Sequence, residues 1–401
     1  MISQLIKNPN ILLIINAIEK FNGSIRLVGG CVRDSIINKR FTDTDFATTL
    51  TPDKVIQALN FSHIKTIPTG IKHGTITAIV NNTSYEITTL RSDIKCDGRH
   101  ANVSFTNNWK EDASRRDFTF NALYCDKEGK IYDYFSGIQD LNNKTLNFIG
   151  NAEKRINEDF LRILRAFRFH AMICNGNQLK KEITELCKKY SYTIKKLSKE
   201  RVREEFLKLL SYNNILNTLQ IMQQCNILEQ ILPYDISTNI LSSPLLQNNP
   251  PIVKLSALLR TIKNNDKIKV SENVSNLLRL SNKQKKILIT LVTNTLPIPL
   301  SINNQKKYIS KFGLESYCHL ITINHVEVNN TYEELFQYID FANNFKVPNF
   351  PISGNDLLNI GYKKGKALGQ TLSIIKQTWE NSSYQLTKTQ LLSFAKDMLR
   401  Y

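Results

Sequence analysis

The sequence predicts an α+β protein, with a small head built on a mixed sheet and a long all-helical region after it. Two observations lead to this prediction. In this chain of 401 residues, strand-like runs occur only before about residue 140. Beyond residue 150, apolar residues recur at the spacing of a helix face, and strand signals nearly vanish.

The predicted head contains four strand-like runs. Ile25–Val28 and Lys130–Phe135 are short runs rich in apolar residues. Gly74–Val80 and Ser84–Leu90 are β-rich and are separated by an Asn-Asn pair, which is typical of a tight hairpin turn. We therefore expect a hairpin inside a small sheet.

The helical region shows apolar residues three and four positions apart in two stretches, which favours amphipathic helices. They are Phe160, Leu161, Leu164, Phe167 and Phe169, then Val202, Phe206, Leu209 and Leu210. Proline residues punctuate the later part and mark boundaries between helices.

The composition indicates a partner and a compartment. The chain has 53 Lys and Arg against 35 Asp and Glu, a net charge of +18, which suggests a polyanionic partner; the alternative is a solvated basic surface. The seven cysteines are scattered without metal-ligand spacing, so we expect reduced thiols in the cytoplasm. No run approaches 18 apolar residues, so no membrane segment is expected. Ile11–Ile15 predicts an amphipathic helix rather than a signal peptide.

Asp43 and Asp45 are the first candidate catalytic residues. In an extended segment, residues i and i+2 point to the same side, so their carboxylates would converge. Gly29 and Gly30, in a turn shortly before them, allow the backbone to approach a phosphate closely. Two carboxylates with substrate phosphates suit Mg²⁺ and nucleotidyl transfer. A solvated acid pair is the alternative.

Two further residues belong with this pair. Glu86 in Ser84–Leu90 is a candidate third metal ligand, although a solvent-facing acid on a strand explains it as well. Arg33 follows the glycine turn and is a candidate nucleotide-binding residue.

A second motif places Arg115 and Arg116 before Asp117, with Asn121 close behind. The planar guanidinium of arginine binds phosphate through paired hydrogen bonds, so these residues are candidates for nucleotide binding. The structural alternative is a helix start at which Asp117 faces the helix dipole. Both interpretations can hold together.

A third motif, Glu158–Phe169, contains Asp159 and Arg162 three positions apart. We expect them to share a helix face, where an ion pair is the simple interpretation. An acceptor beside a donor also matches the pairing edge of cytosine and adenine and not that of uracil and guanine. Arg165 and Arg168 follow in the same segment and join the nucleotide-binding candidates.

Two more segments complete the candidates. Asp97, Gly98 and Arg99 begin a polar stretch that extends to Phe105 and predicts a flexible loop beside the site; an ordinary surface connection is the alternative. Ser198–Leu210 predicts an amphipathic helix capped by Ser198 that also presents arginines to RNA.

Taken in order, these motifs resemble the class II tRNA nucleotidyltransferase and bacterial poly(A) polymerase family. The resemblance is carried by Leu27–Asp34, Asp43–Asp45, Arg115–Leu123, Glu158–Arg162 and Glu200–Glu204. It implies a polymerase-β-like nucleotidyltransferase head at 1–145, a helical neck for base recognition at 146–210, a helical body at 211–330 and a tRNA-binding helical tail at 331–401.

The resemblance also implies an activity. Asp43 and Asp45 would hold the catalytic Mg²⁺ ions, Asp159 and Arg162 would select the base, and Arg115 and Arg116 would lie near the triphosphate. We expect a CCA-adding enzyme that uses tRNA, CTP and ATP. The alternatives are a poly(A) polymerase of the same family and a non-catalytic RNA-binding protein. The sequence does not specify the oligomeric state.

Overall fold

The computed structural model describes residues 2–41, 43–96, 101–174, 177–263, 266–329 and 331–399, with the backbone alone at 93–96 and 101–103. The described chain forms two compact units. The first comprises the residues up to Tyr234 together with Leu277–Arg279, and the second comprises Asp235–Asn276 and the residues from Leu280 onward.

The strands all belong to the first unit, as the sequence predicted. They are β1 (Ile25–Val28), β2 (Asp45–Thr48), β3 (Lys65–Gly70), β4 (Thr75–Val80), β5 (Thr83–Thr89), β6 (Arg91–Cys96), β7 (Ala101–Phe105), β8 (Leu123–Cys125) and β9 (Ile131–Asp133). Seven of them form one sheet in the order β3-β4-β5-β2-β1-β8-β9, and β6 pairs with β7 in a separate ribbon.

The large sheet is mixed, which confirms the predicted class of head. β2 and β5 run parallel, whereas β1 runs antiparallel to both β2 and β8. The predicted hairpin joins β4 to β5 through Asn81 and Asn82, which both have positive φ angles of 48° and 60°. Such angles are typical of the turn that matches the twist of two antiparallel strands.

The helices of the first unit surround the sheet and continue beyond it. They are α1 (Ile2–Ile6), α2 (Pro9–Glu19), α3 (Gly30–Ile36), α4 (Pro52–Phe61), α5 (Trp109–Ser114), α6 (Gly137–Asn142), α7 (Ala152–Glu158), α8 (Leu161–Phe169), α9 (Lys181–Lys189), α10 (Lys199–Leu210), α11 (Leu216–Gln224) and α12 (Leu228–Ile231). α2 contains the apolar run expected to be helical and begins with Asn8, whose side chain accepts from Asn10 N, and Pro9. Both are residues that favour a helix start.

An aromatic cluster connects the sheet to α8. Phe118 packs against Phe120, Phe148 and Phe169, with ring centroids 4.7 to 5.5 Å apart. Phe118 and Phe120 are fully buried. Because Phe169 ends α8, this packing fixes the helix against the segment that follows α5.

After Tyr234, all the regular secondary structure of the described residues is helical. The helices are α13 (Pro251–Arg260), α14 (Lys267–Leu277), α15 (Asn282–Thr293), α16 (Ile302–Phe312), α17 (Leu314–Glu327), α18 (Tyr332–Asn344), α19 (Gly354–Asn359), α20 (Lys366–Asn381) and α21 (Lys388–Leu399). A core around Trp379 joins the last three. None of the described helices is long and apolar enough to cross a membrane.

Candidate active site

A cleft of about 580 Å³ lies in the first unit and gathers most of the candidate residues. It is lined by Gly29, Gly30, Arg33, Asp45, Arg91, Arg115, Arg116, Asp117, Asn121, Asp159, Leu161, Arg162, Arg165, Arg168, Phe169 and Arg201. Every predicted nucleotide-binding residue is in this set. Asp43 and Glu86 are not, and Asp97, Gly98 and Arg99 lie outside the described residues.

The glycine turn lies between β1 and α3, as the sequence suggested. Gly29 has a φ of 73°, a conformation that side-chain-bearing residues rarely adopt. A Cβ at this position would lie 3.6 Å from Nη1 of Arg116. That distance is an ordinary van der Waals contact, so glycine is favoured here by the backbone conformation of the turn and not by the space around it.

Arg33 is held from two sides after that turn. Its Nε and Nη2 donate to the two carboxylate oxygens of Asp34, at 2.8 and 2.9 Å. Its Nη1 donates to Oδ1 of Asn121 at 2.5 Å. The guanidinium of Arg33 is thus held in a fixed orientation at the cleft, which Asn121 also lines.

The acidic residues converge beside the cleft. Asp45 begins β2 and lies opposite Glu86 of the parallel strand β5. Burial, followed by the charges of Glu86 and Asp43, raises the pKa of Asp45 to about 6 against the opposing effect of Arg116. Asp43 precedes the strand and, like Glu86, is exposed.

This donor set suits a divalent cation. The charges of Glu86 and Asp43 disfavour ionisation of the buried Asp45 carboxyl, so a cation beside these groups would stabilise their charged forms. Its oxygens are hard ligands of the kind that Mg²⁺ prefers. The described residues contain no ready-made group of three or more metal-binding side chains, so substrate phosphates would have to complete the coordination.

The segment after α5 differs from the predicted helix start. Arg115 follows the last residue of α5, and a single 3₁₀ turn, Thr119–Asn121, forms only later. Because α5 ends here, Arg115 and Arg116 lie at the C-terminal end of a helix, where cationic side chains are favoured.

Asp117 is buried between this segment and α8. Its Oδ1 accepts from Phe118 N at 2.8 Å and from Nδ2 of Asn121 at 2.9 Å, and its Oδ2 accepts from Nε of Arg165 at 2.6 Å. Burial raises the pKa of Asp117, but the charge of Arg165 and these hydrogen bonds lower it more, to about 2. Asp117 is therefore ionised and fixes Arg165 at the cleft.

The prediction that Asp159 and Arg162 share one helix face is wrong. α7 ends at Glu158 and α8 begins at Leu161, so that Asp159 occupies an extended junction with φ −155° and ψ 106°. Oδ1 of Asp159 accepts from Leu161 N at 3.0 Å. Asp159 thus stabilises the start of α8 from outside the helix.

The two side chains pair with other residues instead of with each other. Oδ2 of Asp159 accepts from Nη2 of Arg201 at 2.6 Å. Nη1 of Arg162 donates to Oε2 of Glu158 at 2.6 Å and to the carbonyl of Arg155 at 2.7 Å. Both nevertheless line the same cleft, so an acceptor and a donor side chain are part of one site.

Phe169 packs against two of the arginines that line the cleft. The guanidinium carbon of Arg168 lies 3.9 Å from the centre of the Phe169 ring, and that of Arg165 lies 5.5 Å away. Nε of Arg168 donates to Oε2 of Glu205 at 2.5 Å. Stacking and ion pairing together hold both arginines in place.

Sequence reasoning missed four residues that line the cleft: Arg91, Leu161, Phe169 and Arg201. Arg201 is in the helix predicted at Ser198–Leu210, for which the sequence indicates core packing and RNA binding. Leu161 and Phe169 looked like ordinary core positions. Arg91 directly follows the predicted β-run and has no local signal. The predicted loop reaching Phe105 is in part the strand β7.

Comparisons with known proteins identify the family of the chain. Residues 25–147 match the family model of the poly A polymerase head domain. Residues 177–235 match a model described as a probable RNA and SrmB-binding site of polymerase A.

Individual relatives cover nearly the whole chain. A mitochondrial CCA tRNA nucleotidyltransferase 1 of Danio rerio is 33% identical over 389 residues, which span 94% of this chain and 88% of the relative. A CCA-adding enzyme of Staphylococcus epidermidis is 32% identical over 387 residues, 92% of each chain. The crystal structure of the Bacillus stearothermophilus CCA-adding enzyme in complex with CTP superposes with a TM-score of 0.77 at 24% identity, covering 98% of both chains. At that identity, the superposition establishes a common fold.

Proposed function

The chain belongs to the family of CCA-adding tRNA nucleotidyltransferases, and we propose that it adds C, C and A to the 3′ end of tRNA from CTP and ATP. The observation that carries the proposal is the cleft. It contains an acidic residue with two carboxylate neighbours, the Asp159 and Arg162 side chains, and several further arginines. Such a site suits a nucleoside triphosphate lying along it.

In the proposed reaction, the tRNA 3′-hydroxyl attacks the α-phosphorus of the nucleotide. A new O3′–P bond forms, the bond to the β-phosphate oxygen breaks, and pyrophosphate and a proton are released. Arg115 and Arg116 bind the triphosphate, because paired N–H donors match phosphate oxygens. Their charge stabilises the negative charge that develops on the leaving group.

The fold implies a divalent metal ion, and we propose Mg²⁺ as that ion. Asp43 and Asp45 would hold it, with Glu86 as a weaker candidate. When bound, it would supply the charge that acidifies the attacking hydroxyl and stabilises the phosphoryl oxygens. Support comes from the oxygen-only donor set and from the raised pKa of Asp45.

Base selection would use the protein instead of a nucleic-acid template. The Asp159 carboxylate accepts from the amino group of cytosine or adenine, and Arg162 donates to the adjacent ring nitrogen. Uracil and guanine offer a carbonyl and a ring N–H at these positions. Leaving such groups unpaired costs about 1–3 kcal/mol.

The remaining chain would bind tRNA. The net charge of +18 and the family match over residues 177–235 support a long anionic substrate. We retain the division into a head (1–145), neck (146–210), body (211–330) and tail (331–401) as part of the proposal. We also propose a cytoplasmic location, because the cysteines whose side chains are described are all free thiols.

A poly(A) polymerase of the same family is the second candidate, favoured by the family model for the head. Incubating the enzyme with tRNA that lacks its last three nucleotides and with all four NTPs separates the two. We expect a product that stops after three additions. A long A tail would instead identify the polymerase, and no metal-dependent product would leave a non-catalytic RNA-binding protein.

A further inference from the structure

Asp112 is an almost fully buried acid in the short helix α5, with 1% of its side chain exposed. Its Oδ1 accepts from Nε and Nη2 of Arg115, at 2.9 and 2.8 Å. Its Oδ2 accepts from Nη2 of Arg116 at 3.2 Å and from the hydroxyl of Tyr124 at 2.7 Å. One carboxylate therefore binds both of the adjacent arginines that line the cleft.

The charge of Asp112 is maintained by these contacts. Burial raises its pKa, but the charges of Arg116 and Arg115 and the hydrogen bond from Tyr124 lower it more, to about 2. Tyr124 on β8 is itself fully buried and lies under Arg116, whose guanidinium carbon is 5.4 Å from the ring centre. The carboxylate and the ring thus fix the orientation of both guanidinium groups.

The same carboxylate reaches the base of the β6–β7 ribbon. Oδ1 of Asp112 also accepts from the backbone N–H of Arg91, at 3.3 Å. Arg91 begins β6, pairs with Phe105 at the end of β7 and lines the cleft. The ribbon base and the two arginines are therefore connected through one side chain.

We propose that Asp112 is a positioning residue: its carboxylate orients Arg115 and Arg116 toward the triphosphate and ties them to the base of the ribbon. The inference rests on the proposed function and adds to it a residue that touches no substrate. In the proposed function the base is selected by two other residues, Asp159 and Arg162, which form no hydrogen bond with Asp112 in the part of the chain that the structure describes. Loss of the Asp112 charge should therefore weaken the binding of every nucleoside triphosphate by the same factor.

The substitution Asp112→Asn tests this because it preserves size and removes the charge. The amide would turn a donor toward the arginines, so that their orientation is lost. Hydrogen bonds to charged groups contribute about 1.5–3 kcal/mol. We expect the dissociation constants of CTP and ATP, measured calorimetrically with Mg²⁺ and without tRNA, to rise equally by roughly 10- to 150-fold.

Two readouts distinguish positioning from general stabilisation. The affinity for inorganic triphosphate, used as a competitor, should fall by the same factor as the affinity for CTP. Inorganic triphosphate contains only the group that Arg115 and Arg116 bind. The preference for C and A over U and G should stay within twofold of the wild type. A variant that folds and binds triphosphate normally, or one whose base preference changes, would overturn the proposal.

Glu111→Gln is the matched control. Glu111 is the neighbouring acid of α5, and its Oε2 accepts from Oγ1 of Thr106 at 2.6 Å; it does not line the cleft. Its removal should leave nucleotide affinity within twofold. If Asp112→Asn does not fold, Tyr124→Phe takes its place. This substitution removes one donor to Oδ2 and should lower the affinity for all nucleotides equally, by roughly threefold to tenfold. Normal nucleotide affinity would then overturn the proposal.

Because binding is measured without tRNA, this test is independent of nucleotide addition. A wild-type protein that binds CTP and extends no tRNA would contradict the proposed function. The nucleotide affinities of Asp112→Asn and the wild type could still be compared.

Discussion

The substitution Asp159→Asn makes the most direct test of base selection by the protein. Oδ1 of Asp159 accepts from Leu161 N, so the amide oxygen of asparagine should keep that position. The amide nitrogen then replaces Oδ2, which lies 2.6 Å from Nη2 of Arg201. Two donors face each other there, and the atom offered to the base changes from an acceptor to a donor.

The expected magnitude follows from these contacts. A hydrogen bond from a base amino group to a carboxylate contributes about 1.5–3 kcal/mol, which corresponds to roughly 10- to 150-fold in kcat/KM. The effect on stability should be smaller. The Asp159–Arg201 pair is partly exposed, with 18% and 29% of the two side chains accessible, so its loss should cost no more than about 1 kcal/mol.

The assay measures single additions under matched conditions. tRNA lacking its last three nucleotides receives CTP or UTP, and tRNA ending in CC receives ATP or GTP. We expect kcat/KM to fall by at least tenfold for CTP and ATP, and to stay constant or rise for UTP and GTP. The ratio between the two groups is the quantity that decides, because a general loss of activity cancels in it.

Glu153→Gln provides the control. It is the same acid-to-amide change on the adjacent helix α7, and its Oε1 also accepts a short ionic hydrogen bond, from Lys189 at 2.7 Å. Glu153 does not line the cleft, so all four rates should stay close to those of the wild type. An equal loss for all four nucleotides in Asp159→Asn would refute the base-selecting role.

Three further predictions concern the proposed metal ligands, the metal ion itself and the dependence of stability on pH. Asp43→Ala and Asp45→Ala should each lower nucleotide addition by roughly 100- to 1,000-fold, while tRNA affinity in a filter-binding assay changes less than twofold; normal activity would exclude them as metal ligands. Chelation with EDTA should abolish addition by the wild type, and Mg²⁺ should restore it; activity that survives chelation would contradict the metal proposal. Asp112 and Asp117 both have a pKa lowered to about 2 from 3.8, so each should contribute about 2 kcal/mol of stability that is fully present above pH 3.8 and lost as the pH falls through 2. Urea unfolding monitored by Trp109 fluorescence in a Trp379→Phe background should show this loss, and it should shrink in Asp117→Asn; a flat profile would contradict the assignment.

Much of the fold could be predicted because its signals are local. The Asn-Asn pair specifies a turn that fits a hairpin, and β4 and β5 form on either side of it. The glycine turn requires a positive φ at Gly29, which the sequence identifies directly. The sequence predicts one extended segment through Asp43 and Asp45, whereas β2 begins at Asp45 and leaves Asp43 outside it.

The break between α7 and α8 could not be predicted in the same way. No glycine or proline interrupts the segment from Glu158 to Arg162, and its apolar spacing continues through the junction. The break is stabilised by Arg201, which lies 42 residues further along the chain and pairs with Asp159. Long-range ion pairs of this kind leave no trace in local periodicity.

The arginines of the cleft show why such acids are needed. Each of seven arginines that line the cleft pairs with a carboxylate: Arg33 with Asp34, Arg115 and Arg116 with Asp112, Arg162 with Glu158, Arg165 with Asp117, Arg168 with Glu205, and Arg201 with Asp159. Unpaired, so many like charges in one cleft would repel one another and adopt many rotamers.

Pairing resolves this problem without using up the arginines. A guanidinium has five N–H donors, and a carboxylate engages only one or two of them, so the others remain available to the nucleotide in a fixed direction. Such preorganised charge stabilises a transition state without further rearrangement. Each carboxylate should therefore affect the step that its arginine serves. Removing the Asp112 carboxylate should weaken the binding of all nucleoside triphosphates alike. Removing the Glu158 carboxylate, whose Oε2 accepts from Nη1 of Arg162 at 2.6 Å, should alter the choice of base.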